Sequence, residues 1–271
     1  MRQTQPRSPA EVYEQYFVPA MFLPWAALLL RHAAPRPGER VLDIGCGTGV
    51  VARQAAPYVG EQGQVFALDM NPAMLAVAGT LPAPAGATIQ WRQGDALALP
   101  FADGVFDLAL CQHGLQLFPD RGGAVREMHR VLAPGGRAAV IVLQALARHP
   151  VFEALMGSVA RHLALPIAEV MTPFALSDAV ALRSLFEAAG FQRVDIVAES
   201  TVVSFAEPDR FVPLAVTSSA AAVPAFAQMD APARAALLKL VRYDVEPIVG
   251  QYRDADAVTF PMFAHIALGH A

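Results

Sequence analysis

Short, nearly continuous apolar runs alternate with amphipathic stretches from about residue 38 to 143. The runs "RVLDIG" (40–45), "GQVFALD" (63–69), "TIQWRQGD" (88–95), "VFDLALCQ" (105–112) and "GRAAVIVL" (136–143) predict five strands. Between them, residues 48–58, 72–79 and 121–132 carry helical patterning. Strands and helices alternating at this spacing imply right-handed βαβ crossovers and a parallel, doubly wound α/β sheet. Turn signals fall where that pattern needs them: "RPG" (36–38), "LPAPAG" (81–86) and "PGG" (134–136).

The flanks read differently. Val12, Tyr13, Tyr16, Phe17 and Ala20 recur at helical spacing, which predicts an amphipathic helix within an N-terminal helical cap, residues 1–35. Beyond residue 145, "PVFEALMGSVARHLAL" is helical in pattern, and "SDAVALRSLFEAAGF" offers Ser177 or Asp178 as N-cap and Gly190 as C-cap. Residues 192–205 and 257–270 read as strands. Between them, residues 207–250 form an Ala-rich helical insertion of about 45 residues, a length that usually serves function rather than the core. The expected organisation is one domain over 1–271. Its core is 38–145, and its helical cover comes from 146–185 and 207–250.

Composition narrows the possibilities. With 271 residues, 55% of them hydrophobic, the chain can bury a large core, and the excess apolar content reads either as an Ala-rich composition or as an apolar substrate cavity. A net charge of −4 argues against a nucleic-acid partner. The longest apolar run, residues 18–30, is too short to span a bilayer and is interrupted by Pro19 and Pro24. Arg2 and Arg7 are followed by Glu11 and Glu14 before any apolar run, so no export signal is expected. Cys46 and Cys111, the only cysteines, read as small buried residues in a reducing cytoplasm, and no metal-ligand spacing accompanies them.

The densest chemistry lies in "VLDIGCGTGVVARQ", residues 41–54, where glycines mark the passage from strand to helix. Glycine there costs backbone entropy, so a tight turn or an approaching ligand must offset it. In an open parallel sheet such a turn belongs to the crevice beyond the strands' carboxyl ends. The GxGxG spacing departs from the GxGxxG of dinucleotide binders. Asp69, at the end of the second strand and 20 residues after Gly49, stands where an acid takes both hydroxyls of a ribose.

Taken together, "VLDIGCGTG", "LDMNPAML", "GDALALPF" and "REMHRVLAPGG" resemble the class I S-adenosylmethionine-dependent methyltransferases. Within them they are similar to the small-molecule group of ubiquinone and menaquinone biosynthesis. The resemblance covers about residues 38–143. It implies a Rossmann-like seven-stranded sheet, mostly parallel with an antiparallel last strand and a helical lid, and S-adenosyl-L-methionine as cofactor. It also implies that Asp43 orients the methionine ammonium while Gly45 and Gly47 run beside the methionine. Asp69 would bind the ribose and Met70 the adenine face. Asp95 would accept from the adenine amino group, with Ala96 beside it, and Gln112 would border the transferable methyl. Taken alone, Met70 reads as ordinary core and each acid as a solvated strand end.

Methyl transfer depends mainly on holding a nucleophile in line with the carbon–sulfur bond. His113, next to Gln112, is the candidate catalytic residue, as general base or as a histidine that shapes the substrate site. Tyr13, Tyr16 and Phe17 are candidate substrate-side residues, as a lid whose rings suit a sulfonium or as a buried stripe. The expected partner is a small, partly apolar methyl acceptor, with O, N or C as the reacting atom; no pattern here specifies an oligomeric state. Two other readings stand beside it: a protein that binds the cofactor without methyl transfer, and a nicotinamide oxidoreductase.

Overall fold

The computed structural model describes residues 8–220 and 223–271. Residues 1–7 of the expected cap, with Arg2 and Arg7, and residues 221–222 of the insertion lie outside the described residues. Seven strands form one sheet: β1 (Arg40–Ile44), β2 (Gln64–Asp69), β3 (Ile89–Gln93), β4 (Phe106–Gln112), β5 (Leu132–Leu143), β6 (Arg193–Ala206) and β7 (Ala257–His270). Their order is β3-β2-β1-β4-β5-β7-β6. The first five pair in parallel, and β7 runs antiparallel between β5 and β6. This is the expected Rossmann-like architecture, and the chain's switch from β1–β3 to β4 opens a crevice at the carboxyl ends of β1 and β4.

The strands read as continuous apolar runs because both faces are covered. Val41, Val65, Ala67, Leu108 and Leu110 point into one core. Their neighbours Leu42, Phe66, Leu68, Ala109 and Cys111 point into the other. On the first face lie α1 (Pro9–Val12), a π-helical segment (Tyr13–Phe22), α2 (Leu23–Ala33), α3 (Val50–Val59) and α4 (Pro72–Thr80). The second face holds α5 (Arg121–Val131), capped by Asp120, whose side chain accepts from Gly123 N–H at 2.8 Å. Then follow α6 (Pro150–Leu163), α7 (Ile167–Val170), α8 (Ala179–Ala188), α9 (Pro208–Ser219), α10 (Pro224–Ala227) and α11 (Ala231–Val249).

Three features differ from the sequence expectation. Strand β5 begins at Leu132, directly after α5, and the "PGG" segment is a bulge inside it: pairing with β4 steps from Phe106↔Leu132 to Leu108↔Arg137. Helix α8 does not join the cover formed by α6, α9 and α11. Leu182 and Phe186 bury it beside α5 on the opposite face, so residues 179–185 are core rather than cover. Its caps are nevertheless those expected, with Asp178 accepting from Ala181 N–H at 2.8 Å and Gly190 following at φ +103°.

The N-terminal helix is the third. It is wound as a π-helix over Tyr13–Phe22, with Leu23 N–H bonding to Val18 O, five residues back. Pro19 lies within the segment and has no N–H to give, which disrupts ordinary i→i+4 bonding. The winding changes which residues share a face. At the α-helical rate of about 100° per residue, positions nine apart point about 180° apart. Wider winding brings Tyr13 and Phe22 together, with ring centroids 4.8 Å apart.

Candidate active site

The turn after β1 is tied down by its own backbone and by one acid. Cys46 N–H bonds to Leu68 O at 3.0 Å, and Gly49 N–H to Cys46 O at 2.8 Å. Gly47, at φ +55°, donates its N–H to Asp69 Oδ2 at 2.8 Å, while Asn71 donates to Asp69 Oδ1, also at 2.8 Å. A carboxylate offers about four acceptor positions, so Asp69 keeps capacity for two more donors. The glycines have different reasons. A Cβ on Gly49, at φ +85°, would lie 2.3 Å from the Trp91 ring, so this glycine lets α3 pack on β3. A Cβ on Gly47 would instead meet the Tyr13 hydroxyl at 3.4 Å, on the open side of the turn.

That open side is a cavity of about 360 Å³ at the carboxyl ends of the strands. Of the residues expected at the cofactor, Gly45, Gly47, Asp69, Met70, Asp95, Ala96 and Gln112 line it, and His113 and Tyr13 line it as well. Asp95 is held by Leu97 N–H at 2.9 Å, and Met70 is 70% exposed, an unusual solvent exposure for a large apolar side chain. Asp43 is not on the wall. It is buried beneath the turn, where its carboxylate accepts from Ala52 N–H at 3.0 Å near the start of α3. Burial pushes its pKa up to about 7; Asp69 adds to the rise, against the Ala52 bond and Arg53. Asp43 therefore anchors the turn and shapes its field from behind.

Gln112 and His113 leave β4 at the crevice. Gln112 Nε2 donates to Phe22 O at 3.0 Å, and its Oε1 is buried with no partner among the described residues. His113 has a left-handed backbone (φ +52°), and its N–H bonds to Ile141 O at 2.9 Å. The ring lies edge-on to Phe22 and Trp25, with centroids 6.0 and 5.9 Å away. Both ring nitrogens are buried and unpartnered. Burial, and secondarily His149, lowers its pKa to about 3, so the ring is neutral over the ordinary pH range.

The three aromatic candidates separate. Tyr13 faces the turn, and burial together with Asp69, Glu14 and Asp43 holds its phenol well above the ordinary value, hence protonated. Phe17 lines a second cavity of about 550 Å³, which shares Tyr13 and Met74 with the first. Tyr16 lines neither. It packs on Phe205 at 5.6 Å, and its hydroxyl pKa is pushed up to about 12 by burial, opposed by Arg210. Phe22, Met74, Leu97, Leu117 and Phe118 also line the first cavity and were not expected there. Phe118 had a signal, since "LQLFPD" follows β4 at once; Phe22 had none, because its place depends on the π-helical winding.

Residues 41–136 match the family model described as a methyltransferase domain. These residues are thus similar to a methyltransferase domain, in line with their resemblance to the class I S-adenosylmethionine-dependent methyltransferases. A 2-phytyl-1,4-naphtoquinone methyltransferase of Synechococcus elongatus is 42% identical over 119 residues, 43% of this chain and 51% of that protein. The ubiquinone/menaquinone biosynthesis C-methyltransferase UbiE of Teredinibacter turnerae is 40% identical over 119 residues, 43% of this chain and 48% of its own length. The chain thus spans about half the length of the curated relatives it matches. Among solved structures, the YcgJ protein of Bacillus subtilis has the same fold, with TM-score 0.58, 20% identity and coverage of 90% of this chain and 97% of that one. The cofactor belonging to a methyltransferase domain of this class is S-adenosylmethionine.

The residues present fit that cofactor. The cavity offers Gly47's bare backbone, Asp69 with spare acceptor capacity, the exposed Met70 and an Asp95 carboxylate at one rim. At the other rim it offers Gln112 and the unpartnered ring nitrogens of His113.

Proposed function

We propose that the whole chain is an enzyme that transfers a methyl group from S-adenosylmethionine to a small, partly apolar acceptor. One observation carries this: the ends of β1, β2 and β4 and the turn after β3 deliver Gly47, Asp69, Asp95, Gln112 and His113 to one cavity at the sheet's switch point. In this reading Asp69 takes the ribose hydroxyls, Met70 covers the adenine and Asp95 accepts from its amino group. Gly45 and Gly47 flank the methionine, and Asp43 acts on its ammonium through the turn. The bound cofactor supplies an electrophilic methyl on a sulfonium sulfur.

The chain's own contribution is placement and exclusion of water. Holding two reactants in line is worth about 7–11 kcal/mol, more than the ~10²–10⁴-fold of a general base. His113 fits this division of labour. A buried, neutral imidazole with two unmet nitrogens is a poor proton acceptor but a good hydrogen-bonding partner for an acceptor's N–H, O–H or oxygen. Tyr13 stands between the two cavities with its ring over the turn, placed for the face contact a sulfonium favours at about 0.5–2 kcal/mol.

The second cavity, with Val12, Phe17, Leu214 and Phe226 in its wall, supports an apolar acceptor. So do the naphthoquinone and quinone acceptors in the names of the relatives. Helices α6, α9 and α11 then serve as substrate cover, and the free, buried thiols of Cys46 and Cys111 support a cytoplasmic setting. No helix among the described residues is long and apolar enough to cross a membrane.

The test is to incubate purified protein with S-adenosylmethionine and a panel of quinols, phenols and aromatic amines, and to follow S-adenosylhomocysteine formation. Turnover with at least one acceptor is expected. Absence of calorimetric heat with both the cofactor and its demethylated form rejects the reading.

A further inference from the structure

Among the described residues, the second cavity has one ionised side chain in its wall. Arg234, near the start of α11, reaches it among apolar neighbours, Phe17, Leu214 and Phe226 included. Its guanidinium lies over the Phe226 ring, 5.1 Å from the centroid, and its Nη2 donates to Met229 O at 3.2 Å. The Nε is buried with no partner. Among the described residues no carboxylate forms an ion pair with Arg234, and residues 1–7 and 221–222 contain no Asp or Glu.

A guanidinium keeps its charge at any ordinary pH. Set in an apolar wall with its buried Nε donor unmet, it carries a cost that a bound oxyanion removes, because charge-assisted bonds to a planar carboxylate are among the strongest a side chain makes. The hydroxyl residues Thr217 and Ser218 lie on the same wall system and add neutral donors. Tyr13 and Met74, also in this wall, are shared with the cofactor site. The lining therefore combines one cationic group, neutral donors, an apolar surface and two residues shared with the cofactor site.

We propose that Arg234 is a specificity-determining residue of the acceptor site, and that the acceptor is a ring-containing apolar molecule bearing a carboxylate. This rests on the methyl-transfer reading above for the word acceptor. The recognition of an apolar carboxylate is testable without turnover.

Isothermal titration of the full chain, with and without S-adenosylhomocysteine, uses 2-naphthoate and its neutral isostere 2-naphthamide as probes. The unaltered protein is expected to bind 2-naphthoate at least ten-fold more tightly than 2-naphthamide. In Arg234→Gln the two probes should bind alike, while Arg234→Lys, which keeps the charge and loses the planar fork, should retain part of the preference. Unfolding temperature and S-adenosylhomocysteine affinity, measured on each variant, should stay near those of the unaltered chain. Equal binding of the two probes, a preference that survives Arg234→Gln, or no binding of either probe at millimolar concentration overturns the proposal. Failure of S-adenosylhomocysteine to bind at all counts against the methyl-transfer reading instead, and the anion preference is still scored in its absence.

Discussion

His113 holds a left-handed backbone at the end of β4 and presents two buried ring nitrogens without partners, both unusual for a residue with only a packing role. Replacing it by Ala should lower turnover at least ten-fold and leave S-adenosylhomocysteine affinity within about two-fold. Gln, which keeps a donor and an acceptor, should recover most of the loss. Because burial lowers the pKa to about 3, the imidazole stays neutral above that value, and the rate–pH profile should lack a histidine inflection near 6.5. An inflection there that disappears in His113→Gln would restore the general-base role. Asp43 offers the opposite shift. Its pKa rises from 3.8 to about 7 on folding, so the folded chain binds more protons than the unfolded between those values. Its contribution to stability is complete below about pH 4 and is lost as pH rises through 7. A cation bound across the turn favours the carboxylate, so S-adenosylmethionine binding near pH 7 should release up to about half a proton. Calorimetry in buffers of different ionisation enthalpy measures this, and Asp43→Asn should abolish it; equal release from the variant would place the proton elsewhere.

At the scale of elements, the glycine turn separates packing from ligand approach. Gly49→Ala drives a methyl into Trp91 at a positive φ and should destabilise the fold by about 2–4 kcal/mol, with little change in cofactor affinity of the molecules that remain folded. Gly47→Ala meets only the Tyr13 hydroxyl and ring edge, at 3.4 Å or more, and should cost about 1–2 kcal/mol in stability, yet weaken cofactor binding at least ten-fold. Thermal melts and titrations of both variants check the pair; similar losses of affinity would end the distinction. The same contrast explains what was legible. The strands from 40 to 143 were readable because a sheet covered on both faces needs unbroken apolar runs, and Asp69 and Asp95 because strand ends in such a sheet point at its crevice. Asp43 has its motif position at the turn, and no spacing in the sequence marks that its carboxylate folds back to Ala52 N–H. Tyr16 and Phe17 could not be told from Tyr13, since helical spacing carries no mark of the π-helical winding that sends Tyr13 alone over Gly47. Arg234 and Phe226 were silent because four separate segments build that cavity and none marks it by a motif.

In the whole molecule, the N-terminal helix is part of the core rather than a detachable lid. Tyr16 and Phe17 pack on Phe205, and Arg53 pairs with Glu14 at 3.2 Å, so the helix bridges α3 and β6. Gln112 adds a third tie through Phe22 O. Removing residues 1–20 would therefore expose part of the main core and lower stability along with activity, and ligand-induced ordering is the cleaner probe. Binding to the folded state alone stabilises by about 2.7 kcal/mol at a hundred times Kd. For a chain of this size, that should raise Tm by about 5 °C. The gain should not be spread evenly. Amide exchange should slow most at Tyr13–Phe22 and at the turn after β1, both in contact with the cavity, and least in α8, which packs through Leu182 and Phe186 on the far face of the sheet. Addition of S-adenosylhomocysteine with exchange followed by mass spectrometry gives the pattern directly. Protection that appears in α8 as strongly as in Tyr13–Phe22 would mean that the ligand tightens the sheet as a unit and that the N-terminal helix is not part of its site.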